Sequence, residues 1–157
     1  NLNFQSIPQV SETTRWLNLT LEQFKSKKWK FIFTHQPIFS NVERDSHTPF
    51  QSLFEPLFLK YGVDVVFSGH HHAYQRIQRK GITYIISGGG GAPTYSPLMD
   101  PKREETVRTE EKTMHYLRGR IAGNAFILEV RLAGRETGAE TIERLEGEMD
   151  RFERSKP

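Results

Sequence analysis

The chain predicts an α/β fold, and three observations carry the prediction. Short apolar segments rich in β-branched and aromatic residues read as buried strands: "WKFIFTH" at 29–35, "VDVVFSG" at 63–69 and "ITYIISGGGGAP" at 82–93. Segments with three- and four-residue apolar spacing precede the first strand and separate it from the second. Each strand runs out into a polar or glycine-rich loop, at His35, at His70 and at Gly88. Ligands of open α/β sheets bind beyond the carboxyl ends of the strands, so a site is expected where these loops meet.

Taken in order, the first element is a helix from Ser11 to about Lys25. Trp16, Leu17, Leu21 and Phe24 make its buried stripe, Ser11 its N-cap, and the basic run at 25–28 suits its C-terminal dipole. Pro37 stops the strand that follows, and residues 37–47 read as a polar loop. A second helix spans 48–62, with Thr48 as cap and Pro49 in the first turn. Phe50, Leu53, Phe54, Leu57, Phe58 and Tyr61 form its apolar face, Pro56 predicts a kink, and Gly62 a stop. Residues 70–76 leave the second strand as a loop. Thr94 to about Lys112 reads as a long surface loop with Pro97 and Pro101. Residues 113–134 read as a hairpin around Gly123-Asn124. The tail at 139–155 is Glu-rich, which favours helix by propensity, but Thr141, Glu143 and Leu145 with Gly147 read as strands.

At 157 residues the chain has one domain's length and buries about 70% of its unfolded surface. No repeat and no linker between two cores is visible. The absence of cysteine excludes disulfides, thiolate metal ligands and a cysteine nucleophile in this chain. A net charge of +3, with both signs interspersed, gives no nucleic-acid footprint. No run reaches the roughly 18 apolar residues of a membrane span. Neither a nucleic-acid nor a membrane partner is therefore expected. Asn18-Leu19-Thr20 fits a glycosylation sequon, a pattern too common to fix a compartment.

The stretch "FSGHHHAYQR", 67–76, places three histidines behind a strand and a glycine. Neutral imidazole suits zinc, iron and manganese. On an extended backbone His70 and His72 point to one side, about 6.6 Å apart at Cα. They then converge on one metal or reach two, with His71 pointing away. His35, at the end of another strand, is placed to meet them. A three-histidine set with an open position also suits a mononuclear zinc hydrolase.

"FIFTHQPIFS", "FSGHHHAYQR" and "YIISGGGGAP", in this order, resemble the second half of the calcineurin-like metallophosphoesterases, most of all the purple acid phosphatase branch. That family carries a histidine before a proline, then G-H-x-H followed by A-Y-E-R. Here Gly69, His70, His72, Ala73, Tyr74 and Arg76 match, with Gln75 replacing the glutamate. The resemblance implies half of a four-layer α/β/β/α sandwich and a binuclear site holding two divalent or trivalent ions (Fe, Zn or Mn). By similarity, His35 and His70 bind one ion and His72 the other. A metal-bound hydroxide attacks the phosphate ester, and His47 is the candidate catalytic acid. Tyr74 and Arg76 are the candidates for binding substrate, and Gly88–Gly91 for backbone approach to phosphate.

Of the family's first-half motifs, G-D-x-x-[YF] and G-N-H-[DE] are absent here, and D-x-H occurs only as Asp45-Ser46-His47, in the loop after the His35 strand rather than ahead of it. Two divalent ions about 3.5 Å apart repel by roughly 19 kcal/mol at an effective dielectric of 20, which three neutral imidazoles do not offset. Asp64 lies inside a strand and reads as structural, and Asp45 and Asp100 are loop residues without the rest of the motif set. The expectation is thus that 1–157 is the carboxyl-terminal half of one metallophosphoesterase domain, inactive as an isolated chain. Its aspartates would come from an amino-terminal fragment or through swapped self-association. A degenerate half-domain that only binds a partner is the reading from another class.

Overall fold

The structure, a computed structural model, describes residues 7–41, 49–94, 106–138 and 141–157. Its elements are α1 (Ile7–Gln23), β1 (Phe31–Thr34), α2 (Pro49–Tyr61), β2 (Val65–Ser68), β3 (Tyr74–Arg79), β4 (Ile82–Ser87), β5 (Thr106–Glu110), β6 (Thr113–Ala122), β7 (Ala125–Gly138) and β8 (Thr141–Ser155). The fold is mixed α/β with two sheets, of order β1-β2-β4-β3-β5 and β6-β7-β8. The residues divide into two units.

The first unit contains both helices and most of the five-stranded sheet. β1 pairs with β2 in parallel, from Phe31↔Val65 to Thr34↔Ser68, and β2 with β4 in parallel, from Val65↔Thr83 to Ser68↔Ile86. The carboxyl ends of all three strands therefore share one edge. Asp64 sets this register at the opposite edge. Its carboxylate accepts from the Lys30 N–H at 2.9 Å, and its own N–H donates to the Lys30 carbonyl at 2.9 Å. It is 1% exposed.

The helices cover the sheet with Leu17, Leu21, Phe54, Phe58 and Tyr61, which pack with Val63, Val66, Ile77, Ile82 and Tyr84. The stripe on α1 is narrower than its apolar spacing predicts. Trp16 is 56% and Phe24 44% exposed, because α1 ends at Gln23 and only the Leu17–Leu21 pair reaches the core. The Tyr61 hydroxyl donates to Asn18 Oδ1 at 2.8 Å, so the sequon asparagine is a helix residue engaged in packing. α2 runs through Pro56, and its Phe50, Phe54 and Phe58 stack at four-residue spacing. Glu55 receives Arg79 Nε at 2.6 Å and Lys80 Nζ at 3.0 Å. Burial raises the Glu55 pKa, but these donors outweigh it and leave the carboxyl below its usual value.

Three segments differ from the sequence reading. α1 begins at Ile7, so Ser11, expected as its N-cap, lies within the helix. Residues 74–76, expected to lie in a loop, begin β3 (Tyr74–Arg79), joined to β4 by Lys80-Gly81. Both turn residues have positive φ, 47° and 78°, the backbone of a tight two-residue hairpin turn. Residues 106–110, expected within the surface loop, form β5 at the sheet edge. The prolines of that loop, Pro97 and Pro101, lie outside the described residues, as does Thr48.

The second unit contains β6, β7 and β8. β6 and β7 form the expected hairpin, with Gly123 at φ 57° in its turn. The Glu-rich tail is one 15-residue strand. Its charges are spaced to meet those of β7, with Glu129↔Arg151, Arg131↔Glu148 and Arg135↔Glu143 opposed. Such cross-strand pairs override helix propensity. Arg118 on β6 adds to the Glu129 rung, and its hydrogen bond holds the Glu129 carboxyl below the usual range. Among the described residues, no helix is long and apolar enough to cross a membrane.

The packing predicts opposite outcomes for two aromatic truncations. Phe54→Ala, at a side chain with no exposure, is expected to destabilise by about 3–5 kcal/mol in urea unfolding. Trp16→Ala is expected to stay within about 0.5 kcal/mol of wild type. Equal losses would contradict the narrow α1 stripe.

Candidate metal centre

The parallel pairing of β1 and β2 continues one step past the strands. After Thr34↔Ser68, the Gly69 N–H donates to the His35 carbonyl at 3.1 Å. The two loops leave the sheet edge side by side, and the next residue is His70. Its Nδ1 faces His35 Nε2 at 3.3 Å, with the rings edge-to-face at 5.2 Å. His35 is exposed and His70 half-buried.

His70 has φ 66°, in the left-handed region that few non-glycine residues adopt, histidine more often than most. The extended backbone expected for 70–72 is therefore not what forms. His70 turns, and the Ala73 N–H closes back on the His71 carbonyl at 2.8 Å. A backbone outlier of this kind costs about 1–3 kcal/mol and persists where the surroundings hold it. Here the Gly69–His35 bond and the Ala73–His71 turn flank it.

The loop after His35 is fixed from below. Ile38, Phe39, Ser40 and Asn41 are buried, and the Asn41 N–H donates to Gln75 Oε1 at 3.1 Å. Gln75 is fully buried. The residue that replaces the family's glutamate thus anchors the histidine loop from the strand next to β4.

His72 lies in the second unit, where its Nδ1 faces the Pro93 carbonyl at 2.7 Å. A carbonyl accepts only, so Nδ1 carries the proton and Nε2 keeps its lone pair. Metal-ligating histidines commonly show this arrangement. His71 is fully buried. Tyr74 is also fully buried, and its hydroxyl donates to Asp150 Oδ2 at 2.7 Å. Arg76 is half-buried on β3. His47, Asp45 and Asp100 lie outside the described residues.

Do these residues suit metal? Two nitrogens bound to one tetrahedral zinc at about 2.0–2.1 Å lie about 3.3–3.4 Å apart. The observed separation of His35 Nε2 and His70 Nδ1 matches that edge, and is longer than an ordinary hydrogen bond of about 2.9–3.0 Å. The histidine share of a metal site fits. Among the described residues, no group of three or more histidine and carboxylate side chains is gathered to complete it. Asp64 is committed to the opposite edge.

His115 lies in the 113–134 hairpin, where the sequence pattern singles it out for nothing. It is buried on β6, with Nε2 3.0 Å from Ser87 Oγ and Nδ1 3.2 Å from the Thr113 carbonyl. Its ring meets Tyr74 edge-to-face at 5.5 Å. The carbonyl places the proton on Nδ1, so Ser87 donates to Nε2. Burial lowers its pKa, against a smaller upward effect from the Thr113 carbonyl. The contacts with Ser87 and Tyr74 join residues far apart in sequence, and no local motif announces them.

Histidines at the ends of adjacent parallel strands, built on an α/β scaffold, make up the candidate site. The family model for calcineurin-like phosphoesterase matches residues 1–74. The Fe(3+)-Zn(2+) purple acid phosphatase 12 of Arabidopsis thaliana is 31% identical over 108 residues, covering 61% of this chain and 23% of that protein. The structure of purple acid phosphatase PPD1 from yellow lupin (Lupinus luteus) superposes with a TM-score of 0.67 at 14% identity, over 99% of this chain and 29% of that one. GAP50, described as the anchor in the inner membrane complex of Plasmodium, gives 0.73 at 16%, over 93% and 45%. The chain spans about a quarter of the length of the curated relatives it matches.

Two predictions follow from the geometry. His70→Gly is expected to be more stable than His70→Ala by about 1 kcal/mol, because glycine accepts a positive φ; equal denaturation midpoints would contradict the left-handed assignment. The second concerns pH. Because burial depresses the His115 pKa, its contribution to stability is complete above the unfolded value near 6.5. It is lost as pH falls through the lower native value. Thermal melts are expected to show a loss beginning below pH 6.5 that His115→Gln removes; an unchanged profile in the variant would contradict a buried neutral imidazole.

Proposed function

We propose that this chain supplies the histidine share of a two-metal site that hydrolyses phosphate esters. His35 and His70 hold one ion and His72 the other, and the ions are drawn from iron, zinc and manganese. The observation that carries the reading is the 3.3 Å approach of His35 Nε2 and His70 Nδ1 at the end of a parallel strand pair. Similarity to acid phosphatases in sequence and fold supports it. When bound, a metal pair neutralises phosphate oxygens and acidifies water into a nucleophile.

The chain's own residues orient this chemistry. The β1–β2 register brings His35 to His70, Gln75 holds the loop that carries His35, and Pro93 fixes the proton of His72 on Nδ1. His47 is proposed to protonate the leaving group and Arg76 to meet the phosphate; Tyr74, the other candidate for substrate, is fully buried with its hydroxyl committed to Asp150. Acidic ligands come from a polypeptide segment beyond these residues, either the amino-terminal part of the same protein or a second copy. β1 supports this, since it is an edge strand. On it Phe33, 71% exposed, stacks on Phe67 of β2 at 4.9 Å, an aromatic surface suited to a covering layer. Residues 1–157 thus form one part of a single domain.

A partner-binding, non-catalytic role is the competing reading, and the fold shared with GAP50 is compatible with it. Metal analysis and turnover decide between them. The intact protein is expected to contain two metals per site and to hydrolyse p-nitrophenyl phosphate. His70→Ala should lose more than the roughly 100-fold associated with outer-shell partners. An intact protein with no bound metal and no turnover after loading with zinc, iron or manganese would exclude the hydrolase.

A further inference from the structure

The glycine loop after β4 is fastened at both ends within the second unit. At the near end, the Gly88 N–H donates to the Ala73 carbonyl at 3.1 Å, and the His115 N–H to the Gly89 carbonyl at 3.0 Å. Neither glycine has room for a side chain. A Cβ on Gly88 would fall 1.9 Å from the His71 oxygen, and one on Gly89 2.3 Å from His115 Nδ1. At the far end, the Pro93 carbonyl accepts from His72 Nδ1 at 2.7 Å. The Thr94 N–H donates to Glu136 Oε2 at 3.1 Å, and the Thr94 hydroxyl donates to the same oxygen.

The Pro93 carbonyl and the Thr94 N–H belong to one peptide unit. In a trans peptide these groups point to opposite sides. The plane is therefore gripped on one edge by a histidine and on the other by a carboxylate. Glu136 is in turn held on β7, paired with Ile142 of β8, and its N–H donates to the Lys112 carbonyl at 2.9 Å.

We propose that Glu136 is a positioning residue for His72, acting through the Pro93–Thr94 peptide. The carboxylate fixes the plane of that peptide and polarises it, which strengthens the carbonyl as an acceptor. The carbonyl then holds the His72 proton on Nδ1 and turns Nε2 outward as a lone-pair donor. This is the carboxylate–histidine pairing of metal sites with one peptide inserted between its members. The effect on the tautomer stands by itself, whereas the effect on metal affinity rests on His72 being a ligand.

The test is long-range ¹H–¹⁵N NMR of the intact, metal-stripped protein labelled at histidine, followed by zinc titration. Wild type is expected to show His72 with its proton on Nδ1. Glu136→Ala should shift it toward the Nε2–H form and weaken zinc binding about 10-fold. Glu136→Gln, which keeps an acceptor oxygen, should restore the Nδ1–H form. Two loop variants leave β7 untouched: Thr94→Ala keeps the N–H and should keep the tautomer, and Thr94→Pro removes the N–H and should lose it. A His72 already in the Nε2–H form in wild type, or one unmoved by both Glu136→Ala and Thr94→Pro, overturns the proposal. A tautomer that moves while zinc affinity does not upholds the positioning role and counts against His72 as a ligand.

Discussion

The parallel register of β1 and β2 is the constraint on which the candidate site depends. Side chains at the ends of neighbouring parallel strands emerge together only if the ladder is in step to its last rung. Here Asp64 ties both strands at the amino edge, and the Gly69–His35 hydrogen bond extends the ladder past the carboxyl edge. A slip of one residue would turn each side chain to the opposite face and separate the imidazoles. Val65, Val66, Ile85 and Ile86 are all buried, so both faces of β2 and β4 are covered, and it is the Asp64–Lys30 pair that opposes such a slip.

Beyond the register, the site depends on backbone that ordinary strands and helices do not provide. His70 is held in the left-handed region, and the glycines at 88 and 89 lie where any Cβ would collide with neighbouring backbone or ring. Such positions oppose folding slightly and are sustained by well-packed surroundings. Unit 1 provides a helix-covered sheet, with Phe54 and Phe58 inaccessible or nearly so. Unit 2 provides a ladder whose opposed charges set its pairing. In each, rigid scaffolding is spent on loops that present histidine nitrogens.

Much of this was legible in the sequence because it is local. β1, β2 and β4 were visible as short apolar runs, α2 as an apolar face bounded by Pro49 and Gly62, and the β6–β7 hairpin by Gly123-Asn124. The pairing of His35 with His70 was legible as well, since it needs only two strand ends on one edge. The hairpin of β3 and β4 was missed because its signal is only Lys80-Gly81 between two runs, and Gln75 and Arg76 look polar. Trp16 and Phe24 were placed in the core because spacing reports a stripe but not how much of it finds a partner. The left-handed turn at His70 and the bonds of His115, Asp150 and Glu136 were beyond reach. Each joins residues distant in sequence, or depends on a φ that histidine does not announce.

The central claim is that one ion is shared by His35 and His70 through the two nitrogens that face each other. Anomalous diffraction at the zinc edge, from crystals of the intact protein loaded with zinc, tests it most directly. The account predicts a peak about 2.0–2.1 Å from both His35 Nε2 and His70 Nδ1. A peak bonded to the opposite ring nitrogens, or to neither residue, would contradict it.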